Sequence, residues 1–443
     1  MDIKELYKLY QQHPCITTDS RDCPEGSIFL ALKGESFNGN KFAESALEKG
    51  CAYAIIDEPE YKKDERFILV DDCQQTFKDL AREHRRQFDI PVIGITGTNG
   101  KTTTKELIRA VLSECYNVMA TEGNFNNDVG VPKTLFRLND SHDIAVVEMG
   151  ASHPGDIKTL VETAEPNTGL ITNVGRAHLQ GFGSFEGVCK TKGELYDFLI
   201  SHDAPLFVNR DNEYLMEMVN SKSSNGKSPD IYYYGQSDNP DILIRGEVLS
   251  CAPFLKFRWR EQDADAGYTS EWQTVQTHLI GAYNLDNMLA AITIGYVNNI
   301  PFEQINHALE SYVPTNNRSQ LTETEKNHLI VDAYNANPTS MKAAIDNFRL
   351  MEVSPKMAIL GMMGELGDVS QEEHQKIIAL LQEASFDEVW LVGAEFKKAV
   401  SPFRTFANVD EVKAAIAEVQ PAGRYILIKG SNSTHLYELP ALL

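Results

Sequence analysis

Gly97, Gly100, Lys101 and Thr102 stand together in the segment Thr96-Gly97-Thr98-Asn99-Gly100-Lys101-Thr102-Thr103, and they offer what a polyphosphate requires. Glycines let backbone N–H groups curl around oxygens, and a helix N-terminus adds partial positive charge. The Lys101 ammonium would reach the β- and γ-phosphates, and the Thr102 hydroxyl would hold Mg²⁺. The general pattern places a glycine five positions before Gly100, where this chain has Ile95, so the loop is a shorter form, Gly97-x-x-Gly100-Lys101-Thr102. Glu148 ends the apolar run Ile144–Val147. The carboxyl end of a neighbouring parallel strand is where a second acid on the metal side stands in a phosphate-loop fold. His178 follows the run Thr168–Val174, and the residues alone leave it open between a metal ligand and a loop histidine. Lys192 falls at a helix start, where a lysine is ordinarily solvated.

These residues need an α/β frame. The run Val92–Ile95 reads as a buried strand entering the loop, and Leu107, Ile108, Val111, Leu112 and Cys115 recur as one helix face. Residues 1–87 read as a small α/β domain, with strands at Ser27–Leu32, Tyr53–Ile56 and Phe67–Val70, helices at Phe42–Lys49 and Thr76–Phe88, and a polar turn at Thr18–Arg21. Residues 88–313 form a central phosphate-loop domain with a mostly parallel sheet. Within it Ser221–Asp230 is a polar loop, expected to be mobile. Beyond it Asp241–Ile244, Phe254–Trp259 and Trp272–Leu279 read as antiparallel strands at a sheet edge, with helices opening after Ile280 and at Pro301. Residues 314–443 alternate strands (His328–Asp332, Met357–Leu360, Glu388–Val392, Arg424–Lys429) with helices (Thr339–Leu350, Gln371–Glu383, Val409–Val419). That alternation predicts a Rossmann-like parallel sheet. Its polar strand-end segments, Asp332–Pro338, Gly361–Gly367 and Lys429–Ser431, together mark a ligand edge.

Composition narrows the class. A chain of 443 residues suggests roughly three domains. No apolar run reaches the ~18 residues of a membrane span, and the charged start Met1–Glu5 is no signal peptide, so no membrane insertion is expected. The seven cysteines are scattered without a C-x-x-C pair, which fits a reduced, cytoplasmic chain. A net charge of −22 argues against nucleic-acid binding, while a local cradle can still take a small anion.

Taken in order, the segments resemble the Mur ligase family, ATP-dependent amide-bond-forming ligases of peptidoglycan synthesis, over nearly the whole chain. Thr96–Thr103 is similar to that family's shortened phosphate loop. Asp332–Pro338, Gly364–Gly367 and Glu148–Gly150 most resemble the branch acting on UDP-N-acetylmuramoyl-tripeptide and D-alanyl-D-alanine. Two positions depart from that branch, Ser152 where asparagine is usual and Asn99, more typical of sister ligases. The resemblance implies ATP and two Mg²⁺ sites. It places Gly97, Thr98, Asn99, Gly100, Lys101, Thr102 and Thr103 around the phosphates, with Thr102, Glu148, His178 and Lys192 as metal ligands, Lys192 as a carbamate. It puts Asn284 and Asn287 on the adenine side, Arg318 near the γ-phosphate, Asp332 on the ribose, and Asn335 and Asn337 beside the nucleotide. Ser20 and Arg21 would bind the uridine diphosphate end, and Asn124, Asn126 and Asn127 would line the substrate side. A monomer is expected. Two other readings stand beside this one: a sister ligase adding a single amino acid or glutamate, and a phosphate-loop NTPase switch that needs no amine acceptor.

Overall fold

The structure, a computed structural model, describes residues 2–34, 36–222, 229–263, 266–314 and 320–443. The chain gathers into two compact units, one of residues 1–94, 117–149 and 158–167, the other of residues 95–116, 150–157 and 168–443.

In the first unit Ile16–Thr17, Ile28–Leu30, Tyr53–Ile56 and Phe67–Leu69 form a four-stranded sheet in chain order, every pair parallel. The run Ile28–Leu30 is fully buried, as a strand covered on both faces should be. A further helix, Ile3–Gln12, opens the chain, with Leu6, Tyr7 and Tyr10 buried at helical spacing. Asp2 accepts the Glu5 amide at 2.8 Å and the Glu5 carboxylate accepts the Asp2 amide at 3.3 Å, a reciprocal cap that satisfies two of the helix's orphan donors. The helix expected from Thr76 to Phe88 instead spans Cys73–Arg85, because the Asp72 carboxylate takes the Gln75 amide at 2.8 Å and starts it earlier.

That helix fastens the rest of the unit. His84 Nε2 donates to Leu138 O at 3.0 Å, so its Nδ1 is the acceptor for the Tyr7 hydroxyl, also at 3.0 Å. Burial holds the His84 pKa below its ordinary value, so the ring is neutral. Arg85 Nε donates to Ala164 O at 3.2 Å. The unit also contains Val118–Ala120 paired in parallel with Ile144–Glu148.

In the second unit Thr168–Ile171, Leu206–Asn209, Ile231–Gly235 and Ile242–Cys251 run parallel in succession. Phe254–Asp263 then folds back antiparallel and carries Gln273–Ile280 on its other side. The antiparallel edge expected from residue 241 onward begins one strand later, because Ile242–Cys251 runs parallel to Ile231–Gly235 and pairs antiparallel only with Phe254–Asp263. Helix Leu285–Val297, buried along most of its length, packs against helix Lys101–Leu112 behind the phosphate loop. The last sheet has six strands in the order Gln320–Glu323, His328–Asp332, Tyr425–Lys429, Lys356–Gly361, Glu388–Val392 and Arg404–Phe406. All its pairs are parallel except the first. No helix among the described residues is long and apolar enough to cross a membrane.

Tyr10 lies among Tyr7, His84 and Phe136, and burial with the neighbouring Tyr7 pushes its hydroxyl up to about 12. The unfolded chain releases this proton near pH 10. Stability is therefore undiminished below pH ~10 and is lost as pH rises towards ~12, where deprotonation favours the unfolded chain. Tyr10→Phe should move the midpoint of alkaline unfolding, followed by circular dichroism, to higher pH. An unchanged midpoint would remove Tyr10 from the alkaline transition.

Candidate functional site

The strand Val92–Thr96 delivers the chain into the loop, and the helix beginning at Lys101 takes it out. Two glycines make the turn. Gly97 has φ +145°, and a Cβ there would fall 2.0 Å from Thr172 Oγ1. Gly100 has φ +80°, and a Cβ there would fall 2.7 Å from Asn287 Oδ1. Only glycine combines these conformations with such close neighbours.

The loop is clasped from the side by Thr172 and Asn173. Thr98 N donates to Asn173 O at 2.9 Å, and Asn99 N to Asn173 Oδ1 at 3.1 Å. The Asn99 carbonyl accepts both Thr172 Oγ1 at 2.6 Å and Asn173 Nδ2 at 3.0 Å. These two residues were absent from the sequence expectations, since they reach the loop across strands. The Lys101 ammonium curls inside the loop, donating to the carbonyls of Gly97 at 2.8 Å and Thr98 at 3.1 Å. Thr102 is buried and Thr103 half-buried in the first helical turn.

Asn284 and Asn287 brace the back of the loop. Asn284 Nδ2 donates to Ile280 O at 2.8 Å, Asn287 Nδ2 to Asn284 Oδ1 at 2.8 Å, and Thr104 Oγ1 to Asn287 Oδ1 at 3.0 Å. This chain of amides ties helix Leu285–Val297 to the phosphate helix.

His178 occupies a left-handed backbone position, φ +50°, and its Nδ1 lies against the Glu365 carboxylate. Burial, joined by Lys101 and Lys192, lowers its pKa, while Glu365 opposes the shift. Lys192 sits on helix Phe185–Ser201 and is buried, contrary to the solvated position expected of a lysine at a helix start. Its Nζ donates to Ala151 O at 3.4 Å and lies 5.6 Å from the centre of the Phe182 ring. Burial, then the neighbouring Lys101 charge, hold its pKa well below the ordinary lysine value, against the pull of Asp156 and Glu194. The amine is thereby biased to its neutral, nucleophilic form.

The C-terminal sheet edge contributes Asp332, whose carboxylate accepts the buried Lys429 ammonium at 2.6 Å; that ammonium also donates to Asn335 O at 3.1 Å. The Asn335 side chain is exposed. Asn337 caps helix Pro338–Leu350 by accepting the Ser340 amide at 2.9 Å. Its Nδ2 donates to Asn99 Oδ1 at 2.8 Å, which joins this edge to the phosphate loop. Gly364 N donates to Ser431 Oγ at 2.9 Å, linking two of the polar strand-end segments. Arg318 lies outside the described residues.

The remaining candidates belong to the first unit. Glu148 is buried at its strand end, and its carboxylate accepts Asn126 Nδ2 at 2.8 Å. Asn127 Oδ1 accepts the Gly130 amide at 2.8 Å, and Asn124 is exposed nearby in sequence. The Ser20 carbonyl accepts Lys49 Nζ at 2.7 Å. The Arg21 guanidinium, at the surface, pairs with Asp19 and holds that carboxyl well below the usual carboxylate range. Among the described residues no group of three or more His, Cys, Asp or Glu is gathered closely enough to hold a metal alone.

Three family models match the chain: the Mur ligase family catalytic domain over residues 14–90, the Mur ligase middle domain over 95–295, and the Mur ligase glutamate ligase domain over 317–432. The UDP-N-acetylmuramoyl-tripeptide–D-alanyl-D-alanine ligase of Bacillus subtilis is 33% identical over 96% of this chain and 92% of its own. Its counterpart in Escherichia coli is 32% identical with the same coverage. Among solved structures, MurF from Acinetobacter baumannii superposes with a TM-score of 0.85 at 30% identity, covering 96% of this chain and 92% of that one. MurF ligase from Thermotoga maritima in complex with ADP gives 0.84 at 25% identity, covering 97% and 96%. The chain belongs to the Mur ligase family.

Replacing Gly97 by alanine would drive a methyl group into Thr172 at a backbone angle that alanine avoids. Gly97→Ala should weaken ATP binding, measured by calorimetry, by at least about tenfold, since loop strain of this kind costs on the order of 1–3 kcal/mol. Wild-type affinity would show that the loop does not cradle the nucleotide.

Proposed function

We propose that this chain is the ATP-dependent ligase that joins D-alanyl-D-alanine to the tripeptide carboxylate of UDP-N-acetylmuramoyl-tripeptide, giving the UDP-muramoyl-pentapeptide of peptidoglycan synthesis. Beyond the likeness to named relatives, the observation that carries this reading is the Asn99–Asn337 bond. It sets a second ligand edge, that of the C-terminal sheet, beside the phosphate loop. An NTPase switch has no need of such an edge; an enzyme that must bring an amine to an activated carboxylate does. In this reading residues 1–87 bind the UDP end through Ser20 and Arg21, residues 88–313 hold ATP, and residues 314–443 complete the ligase site. The chain acts as a cytoplasmic monomer, where its nucleotide-linked substrate is made.

The reaction has two steps. An oxygen of the tripeptide carboxylate attacks the γ-phosphorus of ATP, the bond to the β,γ-bridging oxygen breaks, and ADP leaves. The amine nitrogen of D-alanyl-D-alanine then attacks the acyl carbon, the C–O bond to phosphate breaks, and the nitrogen loses a proton. The obstacle in the first step is the meeting of two anions. Lys101 would swing from the loop carbonyls it now holds onto the phosphates, and Arg318 would add a second cation. Asn284 and Asn287 on the adenine side, Asp332 on the ribose and Asn335 and Asn337 beside it would hold the nucleotide. Asn124, Asn126 and Asn127 would face the peptide.

The donor set suits Mg²⁺. A hard cation held partly by substrate phosphates needs only one or two protein carboxylates, so the lack of a three-residue cluster among the described residues is no obstacle. Thr102 and Glu148 would hold one ion, and His178 with Lys192 a second; when bound they would neutralise charge on the phosphate oxygens. A neutral, buried Lys192 amine can add CO₂, and the resulting carbamate would be an oxygen ligand in place of a cation.

Phosphate release from ATP and Mg²⁺ should require both UDP-N-acetylmuramoyl-tripeptide and D-alanyl-D-alanine for sustained turnover and match pentapeptide formation. Release indifferent to both would return the chain to the NTPase reading, and preference for single amino acids would favour a sister ligase. Lys101→Ala should cut ADP formation by about a thousandfold in a folded protein, the scale of losing a transition-state charge partner; unchanged ADP release would refute its role. Lys192→Ala should lose activity that added short carboxylates partly restore, whereas full activity without them would reject the carbamate.

A further inference from the structure

Residues 175–180 meet the C-terminal sheet edge along a polar seam. Gly175 leaves no room for a Cβ, which would fall 2.8 Å from Thr339 Oγ1. The Arg176 amide donates to that same Thr339 Oγ1 at 3.1 Å, and the Gln180 amide donates to Glu365 O at 3.3 Å. At the centre Arg176 Nη1 donates to Glu373 Oε1 at 3.2 Å; the Arg176 side chain is 52% exposed and the Glu373 side chain only 6%.

Glu373 stands on a rigid mount. Its neighbour His374 is fully buried, with Nε2 accepting the Met363 amide at 3.0 Å, so the proton is on Nδ1, which donates to Ser370 O at 2.7 Å. The start of helix Ser370–Ala384 and the Gly361–Gly367 segment are thus held as one piece. Arg176 in turn lies in the same short segment as His178, whose ring meets Glu365 in that segment.

We propose that Arg176 is a positioning residue whose pairing with Glu373 sets the distance between the His178 turn and the C-terminal strand ends, and through it the rate of the amine-transfer step. An arginine this close to a phosphate loop would ordinarily be assigned to substrate anions. Here its guanidinium is aimed at a nearly buried carboxylate of the protein. Two ligand edges that must deliver an amine to an acyl carbon lose rate steeply when displaced by an ångström. Glu373 also receives Lys376 Nζ at 2.9 Å, so it keeps a cation when Arg176 is replaced and the fold is not left with an unpaired buried charge.

The inference rests on the ligase reading, which wild-type turnover with both substrates tests separately. Arg176→Gln, Glu373→Gln, the double variant and Arg176→Lys would be compared by steady-state kinetics, with thermal midpoints recorded alongside. Each Gln single should lower kcat about tenfold and raise KM for D-alanyl-D-alanine, with KM for ATP unchanged; the double should be no worse than either single, and Arg176→Lys should recover much of the rate. An active wild type with unaltered kcat in Arg176→Gln, a double whose loss is the product of the singles, or a change confined to KM for ATP would each overturn the inference. An inactive wild type would instead fail the ligase reading.

Discussion

The site depends on the contact between a bare backbone and a hydroxyl. Gly97 passes Thr172 Oγ1 so closely that no side chain fits between them, and Thr172 and Asn173 then clasp the loop through its amides and the Asn99 carbonyl. The loop's shape is therefore set by the neighbouring strand end as much as by its own glycines. A phosphate cradle built this way is ordered before ligand arrives, which lowers the entropy lost on binding.

Electrostatics is arranged locally against the overall charge. The chain carries −22, yet Lys101 lies close enough to the buried Lys192 to discourage charge on it. The consequence is a division of labour between two lysines. Lys101 is folded back onto the loop carbonyls of Gly97 and Thr98, while burial biases Lys192 towards a neutral amine. His178, kept neutral by burial in the same surroundings, is suited to donate a lone pair rather than a proton.

Much of the frame was legible because buried parallel strands announce themselves as continuous apolar runs. His328–Asp332 and Glu388–Val392 fall where the sequence places them. Some of the missed elements carry little apolar signal: Gln320–Glu323 and Arg404–Phe406 are short edge strands. Others do carry it: Ile3, Leu6, Tyr7 and Tyr10 share one face of helix Ile3–Gln12, and Leu206–Asn209 is a buried apolar run. In the site, the loop and its lysine were readable from spacing. Thr172, Asn173, Arg176, Glu365 and Glu373 were not, because each acts on a residue far away in sequence. The burial of Lys192 was likewise invisible in a segment whose composition is that of a solvated helix face.

The central claim is that ATP activates a carboxylate of the peptide rather than water. Tripeptide substrate labelled with ¹⁸O in its terminal carboxylate distinguishes these directly by mass spectrometry of the released phosphate. Attack by the carboxylate, followed by amine transfer, predicts that each phosphate released in pentapeptide synthesis carries one oxygen from the peptide. Unlabelled phosphate formed at the same rate as pentapeptide would mean that the carboxylate never bonded to phosphorus, and would contradict the account.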